Sequence, residues 1–282
     1  MTEPGGPRWR AWTAAILILV LPFVVYLLIG SETPDAEPKA AVASPAAQAT
    51  TTAAPVRPAA PSTLGRADLI EAAQRAADAY AARTAAPATN VGLAGKRFSI
   101  RLPFGCGGPA PRPDDLGAAG WHYDPQTETL RAQVSPEDWT EAHWARAASG
   151  QPYEAAEGFW IARPWSTSNE CPAPAAGISP DQAAALQTLG IARFFEPGSS
   201  RAARKSGDAY RFSKKVSPEN APGVQGLRLL IEGRLSVDPS RQPIGCWSAN
   251  PDARPICVFN TRLDRIAITD PSGGTVFSEW TD

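Results

Sequence analysis

The chain has 282 residues, with 27 basic against 28 acidic side chains and a net charge of −1. Hydrophobic residues make up 43% and charged residues 20%, so most of the chain can bury a core and disorder throughout is excluded. The charge balance argues against nucleic-acid binding, which requires a basic domain or stripe. Two histidines leave little room for the usual general bases or metal ligands. Arginine outnumbers lysine and Met1 is the only methionine, a bias of GC-rich bacterial coding that says nothing of function.

After a short tail (1–10), residues 11–29 form a charge-free apolar run, AWTAAILILVLPFVVYLLI. At the rise of an α-helix this run spans roughly 28 Å, close to a bilayer's hydrocarbon thickness. Trp9 and Trp12 lie at one end and Tyr26 near the other, where amphipathic rings favour the interfaces, and Pro22 would kink the helix. A cleaved signal peptide would have a shorter apolar region with a small-residue site close behind. Here the first such pattern, Ala41-Val42-Ala43, lies well downstream. The run therefore reads as an uncleaved single-pass anchor. Arg8 and Arg10 precede it while Glu32, Asp35 and Glu37 follow, which puts the arginine side in the cytoplasm and the rest of the chain outside the inner membrane.

Residues 30–62 are rich in Ala, Pro, Ser and Thr. Such a composition cannot repay the entropy of folding and reads as a disordered spacer, reaching between about 30 Å as a coil and about 100 Å as polyproline II. Next, residues 63–86 read as a helix. Ser62 or Thr63 caps it, and Leu69, Ile70, Ala73, Ala77 and Tyr80 share one face. Glu71 and Arg75 are spaced to pair across one turn. Its small apolar face suits docking on the following domain, with Pro87 and Gly92 ending it.

The outward, periplasmic domain covers 95–282. In KRFSIRLPF, residues Phe98, Ile100 and Leu102 alternate with Arg97, Ser99 and Arg101, as in a half-buried strand. WHYDPQTETLRAQV reads as a hairpin turning at Asp124-Pro125. Ser135-Pro136-Glu137-Asp138 and Ser179-Pro180-Asp181-Gln182 both read as helix starts, the first carrying Trp139 and Trp144. GFWIARPW, GIARFF, DAYRFSKKV, GLRLLIEGRLSV, RPICVFN and DRIAITD-PSGG-TVFSEW supply further strands and a closing hairpin. With about eight strands, few helices and no regular alternation of the two, the class is α+β on a mainly antiparallel sheet. Sandwich and partly closed barrel both remain open.

Cys106, Cys171, Cys246 and Cys257 show no zinc-ribbon or thioredoxin-like spacing. Four cysteines beyond an outward-facing anchor imply two structural disulfides. Of the three pairings, Cys106–Cys171 with Cys246–Cys257 fits best, since the second closes a short loop between two strands. No motif assigns a catalytic residue, a metal or a cofactor, and GCGGP lacks the lysine of a phosphate loop. Three sets of residues carry the functional alternatives. Asp114, Asp115 and Asp124, near His122, are the carboxylates of an envelope hydrolase; a surface loop is the simpler account. Seven of nine tryptophans lie in the outward domain and could stack on cell-wall sugars, against the simpler role of core. Arg201, Arg204, Lys205, Lys214 and Lys215 offer contacts for anionic lipid or an acidic partner, in what otherwise reads as a long solvated hairpin. The leading expectation is a domain that binds an envelope partner.

Overall fold

A computed structural model describes residues 62–149, 152–172, 187–198, 208–236 and 242–281. The apolar run 11–29 and the linker expected before Ser62 lie outside these residues, as does the helix start at Ser179. In chain order the structure runs α1 (Arg66–Ala81), α2 (Ala88–Val91), β1 (Arg97–Phe104), β2 (Ala119–Asp124) and β3 (Thr129–Val134). It continues with β4 (Glu137–Asp138), α3 (His143–Ser149), β5 (Ala155–Trp160), β6 (Leu189–Phe195) and β7 (Tyr210–Lys215). After a 3-10 turn at Pro218–Asn220 come β8 (Leu227–Leu235), β9 (Ile244–Trp247), β10 (Ile256–Thr269) and β11 (Val276–Thr281). The mainly antiparallel β class with few short helices is what the alternation in the sequence implied.

The apolar pattern of β10 explains the topology. Its segments ICVFN and IAIT are buried on both sides of a charged interruption, Arg262-Leu263-Asp264-Arg265. The sequence reads this as two strands; the structure has one, with a register shift between Leu263 and Arg265. A bulge of this kind bends a strand and increases its twist, so the two halves serve different neighbours. The first half pairs parallel with β6 and antiparallel with β9, and the second pairs antiparallel with β8 and β11. The large sheet thus runs β1-β8-β10-β6-β5-β4, with β9 and β11 also on β10. A strand that changes neighbours at a bulge makes the corner between two sheets. The β10–β6 pair is the parallel exception.

A separate sheet, β2-β3-β7, places Leu130, Ala132, Val134 and Tyr210 in the same core as Phe98, Ile100, Leu229 and Ile231. Phe212 stacks on Phe277, and the ring of Tyr210 meets Trp280 edge-on. This arrangement corrects one expectation. The segment from Arg193 to Lys215 is no hairpin, because β6 lies in the large sheet and β7 pairs with β3. The rings of β7 find their partners on β11 instead of on β6.

α1 docks on the domain, but its limits differ from those read in the sequence. Gly65 is the N-cap, its amide donating to Asp68 (2.7 Å), and Arg83 in the left-handed region follows the last turn. Pro87 and Gly92 flank α2 rather than ending α1. The buried face is Arg66, Leu69, Ile70, Ala72, Ala73 and Ala76. Tyr80 is exposed, and its hydroxyl accepts a bond from the Ser248 amide. Asn90 of α2 is buried and locks the pair by donating to Ala72 O (2.9 Å).

Ser135-Pro136 does not start a helix. Glu137 and Asp138 form strand β4 against Gly158 and Glu157, and helix α3 waits until His143. The reason is the seat of Trp139, whose indole lies on the bare backbone of Gly158 and Gly190; a Cβ on Gly190 would stand 2.9 Å from the ring. Burying an indole there outweighs capping a short helix. Ala at position 158 would collide with both Trp139 and the Ile191 carbonyl. Gly158→Ala should therefore lower stability by about 1–3 kcal/mol, the usual penalty of overpacking, as read from denaturant unfolding. Gly107→Ala, with open space around it, should change it by less than about 0.5 kcal/mol.

Candidate functional site

The cysteines pair as spacing suggested. Cys106 is bonded to Cys171, and Cys246 to Cys257, with no free thiol. Cys246 and Cys257 face each other across β9 and β10. Cys106 sits in the turn after β1, where Gly105 and Gly108 adopt positive φ and Trp121 leaves no room for a Cβ on Gly105. By chain entropy the two bridges contribute about 3–4 kcal/mol each.

The loop from Ile161 to Cys171 is held by two buried arginines from distant elements. Arg66 donates through Nε to Ser166 O (2.8 Å) and through Nη2 to the carbonyls of Ala162 and Arg163. Burial, with Arg163 nearby, lowers its pKa. Arg228 is 1% exposed. It pairs with Glu170 (2.9 Å) and donates to the carbonyls of Gln225 and Leu227. Nothing in the sequence distinguishes these two from surface arginines, apart from the lone charge of Arg228 in the apolar run LRLLI.

Two of the three expected catalytic carboxylates are occupied locally, while Asp114 lines a groove on the smaller sheet. Asp115 pairs with Arg112 (2.7 Å). Asp124 accepts from the Thr127 hydroxyl (2.6 Å) and the Gln126 amide (2.9 Å) in the β2–β3 turn. His122 Nδ1 donates to Ala110 O (2.7 Å). Among the described residues no group of three or more His, Cys, Asp or Glu is placed to hold a metal. The Thr127 hydroxyl, with the backbone amides of Thr127 and Gln126, holds the Asp124 carboxyl below the usual aspartate range. A general acid needs the opposite shift.

The tryptophans serve chiefly as packing. Trp121 and Trp139 are each 3% exposed. Trp139, Trp144 and Trp160 pack with ring centroids 4.7–5.2 Å apart. Glu137 accepts from the indoles of Trp139 (3.2 Å) and Trp160 (2.7 Å). Trp247 meets His143, and Trp280 meets Tyr210. Trp165, 57% exposed, presents a free ring alone rather than in a row.

Of the basic stretch, Arg201, Arg204 and Lys205 lie outside the described residues. Lys214 and Lys215 are on β7, where Lys214 Nζ donates to Phe277 O (3.4 Å) and Lys215 Nζ to Thr127 O. The outer face of the same sheet carries two arginines that spacing alone could not connect. Register places Arg131 opposite Ser213 and Arg211 opposite Gln133. They are diagonal neighbours lining a shallow groove of roughly 470 Å³ with Asp114 and Leu116. Neither makes an ion pair among the described residues. A groove with two unpaired guanidinium groups can hold a carboxylate or phosphate.

Comparison with protein-family models, curated proteins and solved structures finds no match to this chain.

The lowered pKa of Asp124 has a definite sign. A depressed carboxyl contributes stability above its unfolded-state pKa and loses it as pH falls through the folded value. The β2–β3 turn should therefore loosen only in acid, and side-chain carboxyl NMR should place Asp124 below an ordinary aspartate. Asp124→Asn should remove that acid dependence.

Proposed function

We propose that the protein is a single-pass inner-membrane protein whose disulfide-bonded domain faces the periplasm and works by binding an envelope partner. The observation that carries the reading is the pairing of all four cysteines in two bridges, in a chain whose earlier charge-free run 11–29 is long enough to cross a bilayer. Structural disulfides belong to oxidising compartments, and Arg8 and Arg10 before the run favour the cytoplasmic side for that end. The described residues contain no helix long and apolar enough to span a membrane, so the anchor reading rests on residues 11–29. Residues 30–62 then act as the tether between anchor and domain.

Binding is favoured over hydrolysis because Asp115 and Asp124 are taken up in local contacts. Stacking on glycan is supported by one exposed ring, Trp165. Arg131 and Arg211, which make no ion pair among the described residues, support an acidic group on the partner from their groove.

Alkaline phosphatase fused after Asp282 should be active, and protein from membranes should retain Met1 to Gly30 and show no alkylatable thiol. An inactive fusion, or four free thiols, would defeat the compartment. Crosslinking in native membranes should capture a partner from the wild type and less of it from an Arg131→Ser, Arg211→Ser variant. Replacing Cys257 by Ser should lower stability by about 3 kcal/mol and leave Cys246 open to alkylation.

A further inference from the structure

The register of the large sheet brings together three arginines far apart in sequence. Arg97 of β1 stands opposite Arg234 of β8, and Arg234 stands opposite Arg262 of β10. Directly opposed residues in antiparallel strands point to the same face, with Cα atoms about 4.5–5.5 Å apart. All three are exposed. Like charges directly opposite one another oppose strand pairing, and here three adjacent strands repeat the conflict.

The neighbouring acids relieve little of it. Arg234 lies 3.5 Å from Asp264, an exposed pair. Arg97 and Arg262 make no ion pair among the described residues, and exposed Lys96 adds a further positive charge beside Arg97. One row further along the sheet, by contrast, the arginine is paired with acids on both sides. Glu232 accepts from Ser99 (3.1 Å) and Arg265 (3.0 Å), and Arg265 also binds Glu279. The same sheet thus pairs every charge named in its interior row and leaves two of the three arginines at its end without an ion pair among the described residues.

That row adjoins Leu64, close to the first described residue of the domain. The Leu64 amide donates to Arg97 O (2.9 Å), and the Ser99 amide donates to Leu64 O (2.9 Å). Leu64 is therefore stitched to the strand that carries Arg97.

We propose that the row Arg97–Arg234–Arg262 docks the domain onto the phosphate groups of an anionic lipid surface. The inference rests on the anchored, outward-facing reading above. Guanidinium groups bind phosphate through two hydrogen bonds each, and three in line match a plane of headgroups better than one compact ion. The attraction acts within about a Debye length of the surface and weakens with salt. The tether is long enough to allow both a docked and a released domain.

The test uses the full chain reconstituted in supported bilayers, with neutron reflectometry reading the distance of the protein layer from the headgroups. On bilayers containing phosphatidylglycerol the layer should touch the headgroups. On phosphatidylcholine alone, or at high salt, a water gap should open. The variant Arg97→Ser, Arg234→Ser, Arg262→Ser should show that gap on both lipids, whereas the Arg-to-Lys triple variant should largely keep contact and Arg131→Ser with Arg211→Ser should keep it fully. A wild-type distance that is the same on both lipids and insensitive to salt overturns the proposal, whether or not the variants fold. Triple-serine protein that stays in contact overturns it too, and would assign the row to another polyanion. Failure of residues 11–29 to insert is a separate result, seen as loss of the protein layer, and defeats the anchored reading itself.

Discussion

Strand β10 is the constraint on which the rest of the domain depends. Its 14 residues serve β6 and β9 in one half and β8 and β11 in the other. A single bulge at Leu263–Arg265 lets it do so, because the added twist turns the second half toward a different set of neighbours. Each other large element then has one place to go. β8 carries β1, β6 carries β5 and β4, and β11 gives the separate β2-β3-β7 sheet an aromatic surface to pack on. The Cys246–Cys257 bridge closes the hairpin at the head of this strand.

Buried arginines do the work that apolar packing cannot do for an irregular loop. The Ile161–Cys171 segment exposes backbone carbonyls that need donors. Arg66 from α1 supplies three of them, Arg228 from β8 holds the Glu170 carboxylate of the same segment, and the disulfide to Cys106 ties its end. One Arg66 nitrogen, Nη1, is buried without a partner, and burial accordingly lowers the pKa of that guanidinium. Helix α1 is therefore held to the domain by polar bonds as well as by its alanine-rich face.

Charge is distributed unevenly over the outer faces. Arg265 is paired with both Glu232 and Glu279, while Arg97 and Arg262 one row away, and Arg131 with Arg211 on the smaller sheet, have no counter-ion among the described residues. A chain with a net charge of −1 thus presents local positive surfaces that its overall balance conceals. Composition averages over faces and so misses patches of two or three residues.

Much of the domain was legible in the sequence. Strict alternation in RFSIRLPF specified β1 and its buried face, the Asp-Pro and Pro-Ser-Gly-Gly turns specified two hairpins, and cysteine spacing within strand-like segments indicated the pairing. These are local signals, since side-chain periodicity and turn chemistry act over a few residues. The helix start at Ser135-Pro136 was misread because its competitor was not local: Trp139 found its seat on two glycines of β5 and β6. The continuity of β10 was hidden for a related reason, as a charged interruption reads as a loop unless a bulge can turn it outward. The arginine row was beyond reach altogether. Residues 97, 234 and 262 acquire a shared face only through strand register, and register is set by the burial of the opposite, apolar face of the whole sheet.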